Sequence, residues 1–201
     1  MSDTTLRAFI AIELPDDIKT HLHTVIQNLR QRVAGPDIKW VAPESIHLTL
    51  KFLGHVPTSR VEEFQQSLGD ICTATPPMWL AIQALGGFPS TRTPRVIWAG
   101  LGGDIEPLAL LAERIDVAFT ELGFPKETRA FTPHLTIARI RQEATRETRT
   151  ALGAALAEAH IARGIEFRAV AVSLMRSQLL RSGAVYSRLA SHSFDSSSKP
   201  D

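Results

Sequence analysis

Two short segments of the sequence each carry a histidine followed two residues later by a threonine: Ile46-His47-Leu48-Thr49-Leu50 and Pro133-His134-Leu135-Thr136-Ile137. In an extended strand, side chains two residues apart share a face. Each segment would therefore present an imidazole and a hydroxyl on one face and aliphatic side chains on the other. If the fold brings the segments together, they form a cleft with two imidazoles, two hydroxyls and no acidic residue from either motif. Such a cleft suits a phosphate group.

Acid–base catalysis at a phosphate group is the chemistry that fits these residues. Imidazole titrates near neutral pH, so His47 and His134 can hold opposite protonation states, one accepting a proton from water and the other donating a proton to a leaving oxygen. Thr49 and Thr136 share strand faces with the histidines and can donate hydrogen bonds to the nonbridging oxygens, where charge develops. The residue types alone leave open which imidazole is the acid.

Four segments of the chain resemble a known family. They are RAFIAIELP (residues 7–15), WVAPESIHLTLKFLG (40–54), RVIWAG (95–100) and FTPHLTIAR (131–139). Together they are similar to the 2H phosphoesterase superfamily, in its RNA 2′,3′-cyclic phosphodiesterase branch, which is also called the 2′-5′ RNA ligase or LigT-like branch. The resemblance extends over nearly the whole chain.

This resemblance implies an α+β fold with two pseudo-symmetric lobes, in which antiparallel sheets face each other across a central cleft and helices lie outside. It also implies metal-independent hydrolysis of RNA 2′,3′-cyclic phosphate ends to 2′-phosphomonoesters. In that reaction His47 would be the proton donor to the 3′ oxygen and His134 the proton acceptor that activates water. RNA joining through a 2′-5′ bond is the reverse chemistry and is expected as a side activity. No cofactor is expected, and the expected substrates are RNA with 2′,3′-cyclic phosphate ends or small cyclic nucleotides.

Arg139 matches a family arginine that is associated with neutralising the phosphate. Strict alternation from His134 would place Arg139 on the opposite face of its strand, unless a β-bulge or the strand end re-aims it. Alternation places Lys51, by contrast, on the His47 face, as an exposed lysine near the end of a strand.

Other side chains are candidates for binding a nucleotide. Phe9 and Trp40 can stack on a base. Arg92 and Arg95 lie in a polar loop, residues 89–95, that could clamp a phosphate backbone. Trp98 lies in an apolar strand and is expected to pack in the core.

The order of the predicted elements is typical of a duplicated α+β unit. Apolar runs rich in strand formers alternate with segments of helical periodicity, and Gly and Pro separate them. The last segments predict one strand over about residues 165–180 and a hairpin partner over about 184–193.

Composition limits the class of protein. The 201 residues, 44% of them hydrophobic, can bury a core, so we expect one domain of two lobes over residues 1–195 and a disordered tail over 196–201. A net charge of +1 indicates that RNA contacts come from local arginines rather than from a global field. The single cysteine, Cys72, excludes an intrachain disulfide, and no apolar run reaches the ~18 residues of a membrane span. A cytoplasmic monomer without a membrane partner is expected.

Two other classes of function could use the same residues. A metal-dependent phosphohydrolase would employ His47 and His134 as ligands, but neither motif has the nearby carboxylates that such sites usually recruit. A noncatalytic RNA- or nucleotide-binding protein would keep the fold without turnover, but both motifs are intact.

Overall fold

The computed structural model describes residues 4–33, 35–159, 165–180 and 183–195, so the predicted tail lies outside the described residues. The helices are α1 (Asp16–Arg32), α2 (Val61–Thr73), α3 (Ile105–Glu121) and α4 (Arg146–Glu158). The strands are β1 (Thr5–Glu13), β2 (Ile38–Trp40), β3 (His47–Pro57), β4 (Met78–Phe88), β5 (Val96–Gly103), β6 (His134–Ile140), β7 (Glu166–Ala169), β8 (Ala171–Leu180) and β9 (Gly183–Ser193). The predicted order of elements is confirmed, except that the single strand predicted over 165–180 is divided into β7 and β8. No helix in the described ranges is long and apolar enough to cross a membrane.

The described strands form one antiparallel sheet in the order β7-β4-β5-β6-β3-β1-β8-β9, and β2 also pairs with β6. The two motif strands, β3 and β6, are neighbours in the middle of the sheet, where Leu48 pairs with Leu135. We call β3, β1, β8 and β9 the first lobe and β2, β6, β5, β4 and β7 the second lobe. The predicted α+β class and its two lobes are confirmed, and the sheets of the two lobes are continuous through this central pair.

One face of the sheet holds the hydrophobic core. Leu48 and Leu135 are 1% and 0% exposed and belong to a core cluster that also contains buried side chains of all four helices. Because both leucines point into the core, the residues on either side of each leucine point to the other face. We call that other face the cleft face.

A β-bulge follows the threonine of the first motif. Thr49 pairs with Ala11 of β1, whereas Lys51 pairs with the adjacent Ile10, which leaves Leu50 as an extra residue in β3. A bulge adds one residue to one strand and thereby inverts the alternation of side chains beyond it. Lys51 therefore turns to the core face, and the prediction that it is exposed beside His47 is wrong.

A second bulge follows the threonine of the other motif. Thr136 pairs with Trp98 of β5, whereas Ala138 pairs with the adjacent Ile97, which leaves Ile137 as an extra residue in β6. The burial pattern is the same in both strands: half-buried, buried, half-buried, buried, buried, exposed, buried. The two motifs thus share their local backbone as well as their residue types.

Lys51 forms a buried ion pair. Its side chain is 6% exposed, and its ammonium donates to the carboxylate of Asp116 in α3 and, at 3.0 Å, to the carbonyl of Pro125. Asp116 also accepts from the backbone N–H of Glu127 at 3.1 Å. Burial by itself would raise the pKa of Asp116, but the hydrogen bonds from Lys51 and Glu127 outweigh burial and lower it. The pair joins the first motif strand to the segment that leads into the second motif.

We expect Asp116→Ala to lower the free energy of unfolding by ~3–5 kcal/mol, because it leaves the Lys51 ammonium buried without its counter-ion. Urea unfolding of the variant and the parent measures this as a lower midpoint at an unchanged slope. The matched control is Asp16→Ala, which breaks the pair between Lys19 and the exposed Asp16 (98%) and should have a much smaller effect. Equal midpoints for the two variants would contradict a structural role for the Lys51–Asp116 pair.

Candidate active site

The four motif side chains lie around the central leucine pair. Because β3 and β6 are antiparallel and Leu48 pairs with Leu135, the residue before Leu48 lies opposite the residue after Leu135. His47 is therefore on the Thr136 side of the junction, and Thr49 is on the His134 side. All four are half-buried on the cleft face. The structure thus brings together the residues that the motifs predicted as catalytic.

Both imidazoles are held by the same type of hydrogen bond. Nδ1 of His47 lies 2.9 Å from the carbonyl oxygen of Ser45, and Nδ1 of His134 lies 2.7 Å from that of Thr132. Because a carbonyl oxygen can only accept, Nδ1 must carry the hydrogen in both rings. Nε2 is then the atom of each ring that accepts or donates a proton at a substrate.

The two imidazoles differ in their aromatic neighbours. The ring of His47 lies 4.7 Å from that of Phe9, tilted by 31°, and 5.0 Å from that of Tyr186, which meets it edge-on. The ring of His134 meets Phe88 edge-on at 5.2 Å. His47 is consequently enclosed by aromatic rings from two strands of the first lobe.

This enclosure changes the acidity of His47. Burial lowers the pKa of His47, and the positive charge of Arg139 acts in the same direction. The hydrogen bond to the Ser45 carbonyl and the negative charge of Glu13 oppose burial without cancelling it. An anion bound beside the ring would favour the imidazolium, because a nearby negative charge raises the pKa of histidine.

Arg139 lies on the cleft face, because the bulge in β6 restores it to the face of His134 and Thr136. The placement on the opposite face that strict alternation predicts is therefore wrong. The effect of the Arg139 charge on His47, which belongs to the other motif, puts this guanidinium within electrostatic reach of both motifs.

Phe52 is a residue of the cleft face that the sequence analysis did not single out. It follows the bulge of β3 at the same position at which Arg139 follows the bulge of β6, and it is 65% exposed. Its ring lies 6.1 Å from that of Phe9. Phe9 itself is 2% exposed and supports His47 and Phe52 from below, so the aromatic surface open to a ligand belongs to Phe52. Alignment of the two motifs on their histidines could have identified Phe52.

Trp98 also lies on the cleft face, in register with Thr136, and not in the core as predicted. Its indole lies over Gly86 and Gly100, where an added Cβ atom would overlap the ring. The ring lies 5.3 Å from that of Phe88. Side chains at the two glycine positions would displace the indole from its place on the cleft face beside Phe88.

Three predicted binding residues are not brought to the cleft face. Trp40 is in register with the core-facing Ala138 and packs against the core. The backbone at Arg92 lies against α4 at Gly153. Arg95 is exposed just before β5, where alternation along the strand turns it to the helix-covered face.

One carboxylate lies close to the site. Glu13 is in register with His47 and accepts hydrogen bonds from Ser173 (2.6 Å) and from two nitrogens of Arg188 (2.7 and 3.0 Å). Burial would raise the pKa of Glu13, but these hydrogen bonds lower it, so Glu13 is an anion neutralised by Arg188. Within the described part of the chain, no three His, Cys, Asp or Glu side chains gather into a group that could hold a metal ion.

A family model described as LigT-like phosphoesterase matches residues 12–98 and 103–186, which contain both motifs. The chain is 30% identical to an RNA 2′,3′-cyclic phosphodiesterase of Methanothermobacter thermautotrophicus over 181 residues, which are 90% of this chain and 95% of that protein. It is 32% identical to an RNA 2′,3′-cyclic phosphodiesterase of Methanocaldococcus jannaschii over 136 residues, 68% of this chain and 72% of the relative.

Solved structures have the same fold. A crystal structure of a Thermus thermophilus protein superposes with a TM-score of 0.76 at 26% identity, over 94% of this chain and 98% of that chain. Escherichia coli LigT complexed with 3′-AMP superposes with a TM-score of 0.74 at 23% identity, over 95% of this chain and 99% of the other.

We expect the imidazole of His47 to titrate below the same histidine in the urea-unfolded chain, because burial lowers its folded pKa. Ring ¹⁵N–¹³C correlation spectra recorded against pH measure the midpoint and should show the Nδ1-protonated tautomer; the signal that His47→Asn loses assigns the ring. Since the folded pKa is the lower one, this group favours the folded state above the unfolded pKa of ~6.5, and that contribution is lost as the pH falls through the folded pKa. A midpoint at or above that of the unfolded chain would contradict the described enclosure.

Proposed function

Because this chain belongs to the LigT-like phosphoesterase family, we propose that it is an RNA 2′,3′-cyclic phosphodiesterase, which hydrolyses RNA 2′,3′-cyclic phosphate ends to 2′-phosphomonoesters. The observation that carries this proposal is the pair of imidazoles with matching tautomers on one face. Each ring uses Nδ1 for a backbone carbonyl and keeps Nε2 for the substrate. A cyclic phosphate needs two such groups, one for the attacking water and one for the departing ribose oxygen.

In the proposed reaction, Nε2 of His134 accepts a proton from water as the water oxygen bonds to phosphorus. The bond between phosphorus and the 3′ oxygen then breaks, and the imidazolium of His47 donates its proton to that oxygen. The phosphate remains on the 2′ oxygen, and the two histidines have exchanged protonation states. The assignment of His47 as donor follows the family resemblance.

Hydrogen-bond donors and one cation surround the phosphate in this scheme. Thr49 and Thr136 donate to the nonbridging oxygens, whose charge increases in the transition state. Arg139 adds a positive charge within reach of both motifs. The exposed ring of Phe52, in the first lobe, is placed to stack on the base of the terminal nucleotide.

A ribose 5′ hydroxyl in the place of water would form a 2′-5′ bond by the same proton transfers. We propose this RNA joining as a side activity of the site. No step of either reaction requires a metal ion. A metal-dependent reaction would be lost on chelation, whereas the proposed reaction would not.

Replacement of either motif histidine by alanine should reduce kcat/KM for a 2′,3′-cyclic-phosphate-ended RNA by ~10²–10⁴-fold, which is the usual worth of a general acid or base. ³¹P NMR of the wild-type product should show a 2′-phosphomonoester. His23→Ala, at an exposed position of α1, is the matched control and should keep full activity. If His47→Ala or His134→Ala lost cooperative unfolding together with activity, the histidines would be structural instead.

The pH dependence of kcat/KM should be bell-shaped, with limbs that belong to the pair of imidazoles. A proton donor must be protonated, and the protonated fraction decreases as the pH rises through its pKa. Burial lowers the pKa of His47, so the acidic limb, which falls at the lower of the two pKa values of the pair, should lie below the ordinary histidine value of ~6.5 whichever histidine is the donor. The donor is identified by substitution instead: loss of the donor should flatten the alkaline limb, and loss of the base should flatten the acidic limb. The same profile after exhaustive chelation should be unchanged; a loss that added divalent ions reverse would favour the metal-dependent scheme.

A further inference from the structure

Lys39 lies on the cleft face beside Arg139. It is in register with Arg139 across β2 and β6, and directly opposed residues of an antiparallel pair point to the same face with their Cα atoms ~4.5–5.5 Å apart. The bulge in β6 sets that face as the one that carries His134 and Thr136. Both Lys39 and Arg139 are exposed.

These two cations have no counter-ion in the described part of the chain. Two other cations near the motifs are neutralised, Lys51 by Asp116 and Arg188 by Glu13. Like charges directly opposed on neighbouring strands destabilise the pairing. An unpaired Lys39–Arg139 couple in a chain of net charge +1 is therefore a local concentration of positive charge, which an anionic ligand would stabilise.

Two residues further along the strands, Asp37 and Arg141 are neighbours, since the backbone N–H of Arg141 donates to the carbonyl of Asp37 at 2.8 Å. Within the couple, Arg139 belongs to β6, the strand that carries His134, and its charge lowers the pKa of His47.

We propose that Lys39 binds the phosphodiester that precedes the terminal nucleotide, so that RNA oligonucleotides are preferred over cyclic mononucleotides as substrates. The inference rests on the proposed function, in which Arg139 contacts the cyclic phosphate. Lys39 lies on the same face, in a strand that occupies the same edge of β6 as β3, and it is level with Arg139, beyond the Thr136–His47 pair. A second phosphate of the same RNA strand would lie there. A cyclic mononucleotide has no second phosphate.

The test compares 2′,3′-cyclic AMP with a short single-stranded RNA that ends in the same adenosine 2′,3′-cyclic phosphate. Lys39→Ala should reduce kcat/KM for the RNA by up to about fivefold more than for the mononucleotide, which is the upper end of what one exposed charged contact contributes. Lys39→Arg should restore the preference for RNA. Arg30→Ala, which removes the same charge from an exposed position of α1 on the helix-covered face, should reduce both rates equally or leave both unchanged.

Binding of the same RNA ended by a 2′-phosphate tests the contact without turnover. The slope of log Kd against log salt should become shallower by ~0.7 in Lys39→Ala, the value for one phosphate contact to a single strand. An unchanged slope, or a loss of kcat/KM that is equal for both substrates, would overturn the assignment of Lys39 to a second phosphate. Absence of wild-type turnover on both substrates would instead refute the proposed function, and the salt slope would still decide the role of Lys39.

Discussion

The contact between Leu48 and Leu135 is the constraint on which the candidate site depends. These leucines are the middle residues of the two motifs, and they meet in the core at the place where the two lobes join. Because both leucines point into the core, the flanking histidines and threonines must point to the opposite face of the sheet. Hydrophobic burial at one pair of residues thus stabilises the junction of the lobes and also assembles the polar groups above it.

The two β-bulges determine what surrounds this centre. Each motif strand gains one residue after its threonine, so the fifth residue after each histidine returns to the cleft face. In the first lobe that residue is Phe52, and in the second it is Arg139. The residue before each of them turns inward, where Lys51 requires Asp116 as a counter-ion and Ala138 requires none. A duplicated backbone therefore carries an aromatic surface on one side and a cation on the other, which is the asymmetry that a nucleotide with a base and a phosphate presents.

The surroundings of the two histidines add a second asymmetry. Both rings have the same tether through Nδ1, but His47 is enclosed by Phe9 and Tyr186 while His134 has Phe88 at its edge. Glu13, which is in register with His47, is neutralised by Arg188 and so reduces the effect of burial on this ring only in part. The two rings thus have the same hydrogen bond through Nδ1 but different aromatic and charged neighbours.

The sequence by itself determined the residue types of the site, the order of the elements and the resemblance to a family, because two histidine–threonine pairs in strand-forming segments are legible from spacing alone. It did not determine the positions of Lys51, Arg139 and Phe52, since each depends on a bulge that arises where β3 and β6 pair with their neighbours. The sequence also did not predict the position of Trp98. Its indole lies over Gly86 of the neighbouring strand and over Gly100 of its own strand, and the apolar residues around Trp98 give no sign of these contacts. Lys39 became a binding candidate only when β2 paired with β6. Strand pairing and bulges set which face a side chain occupies, and both are decided by contacts between segments that are distant in the chain.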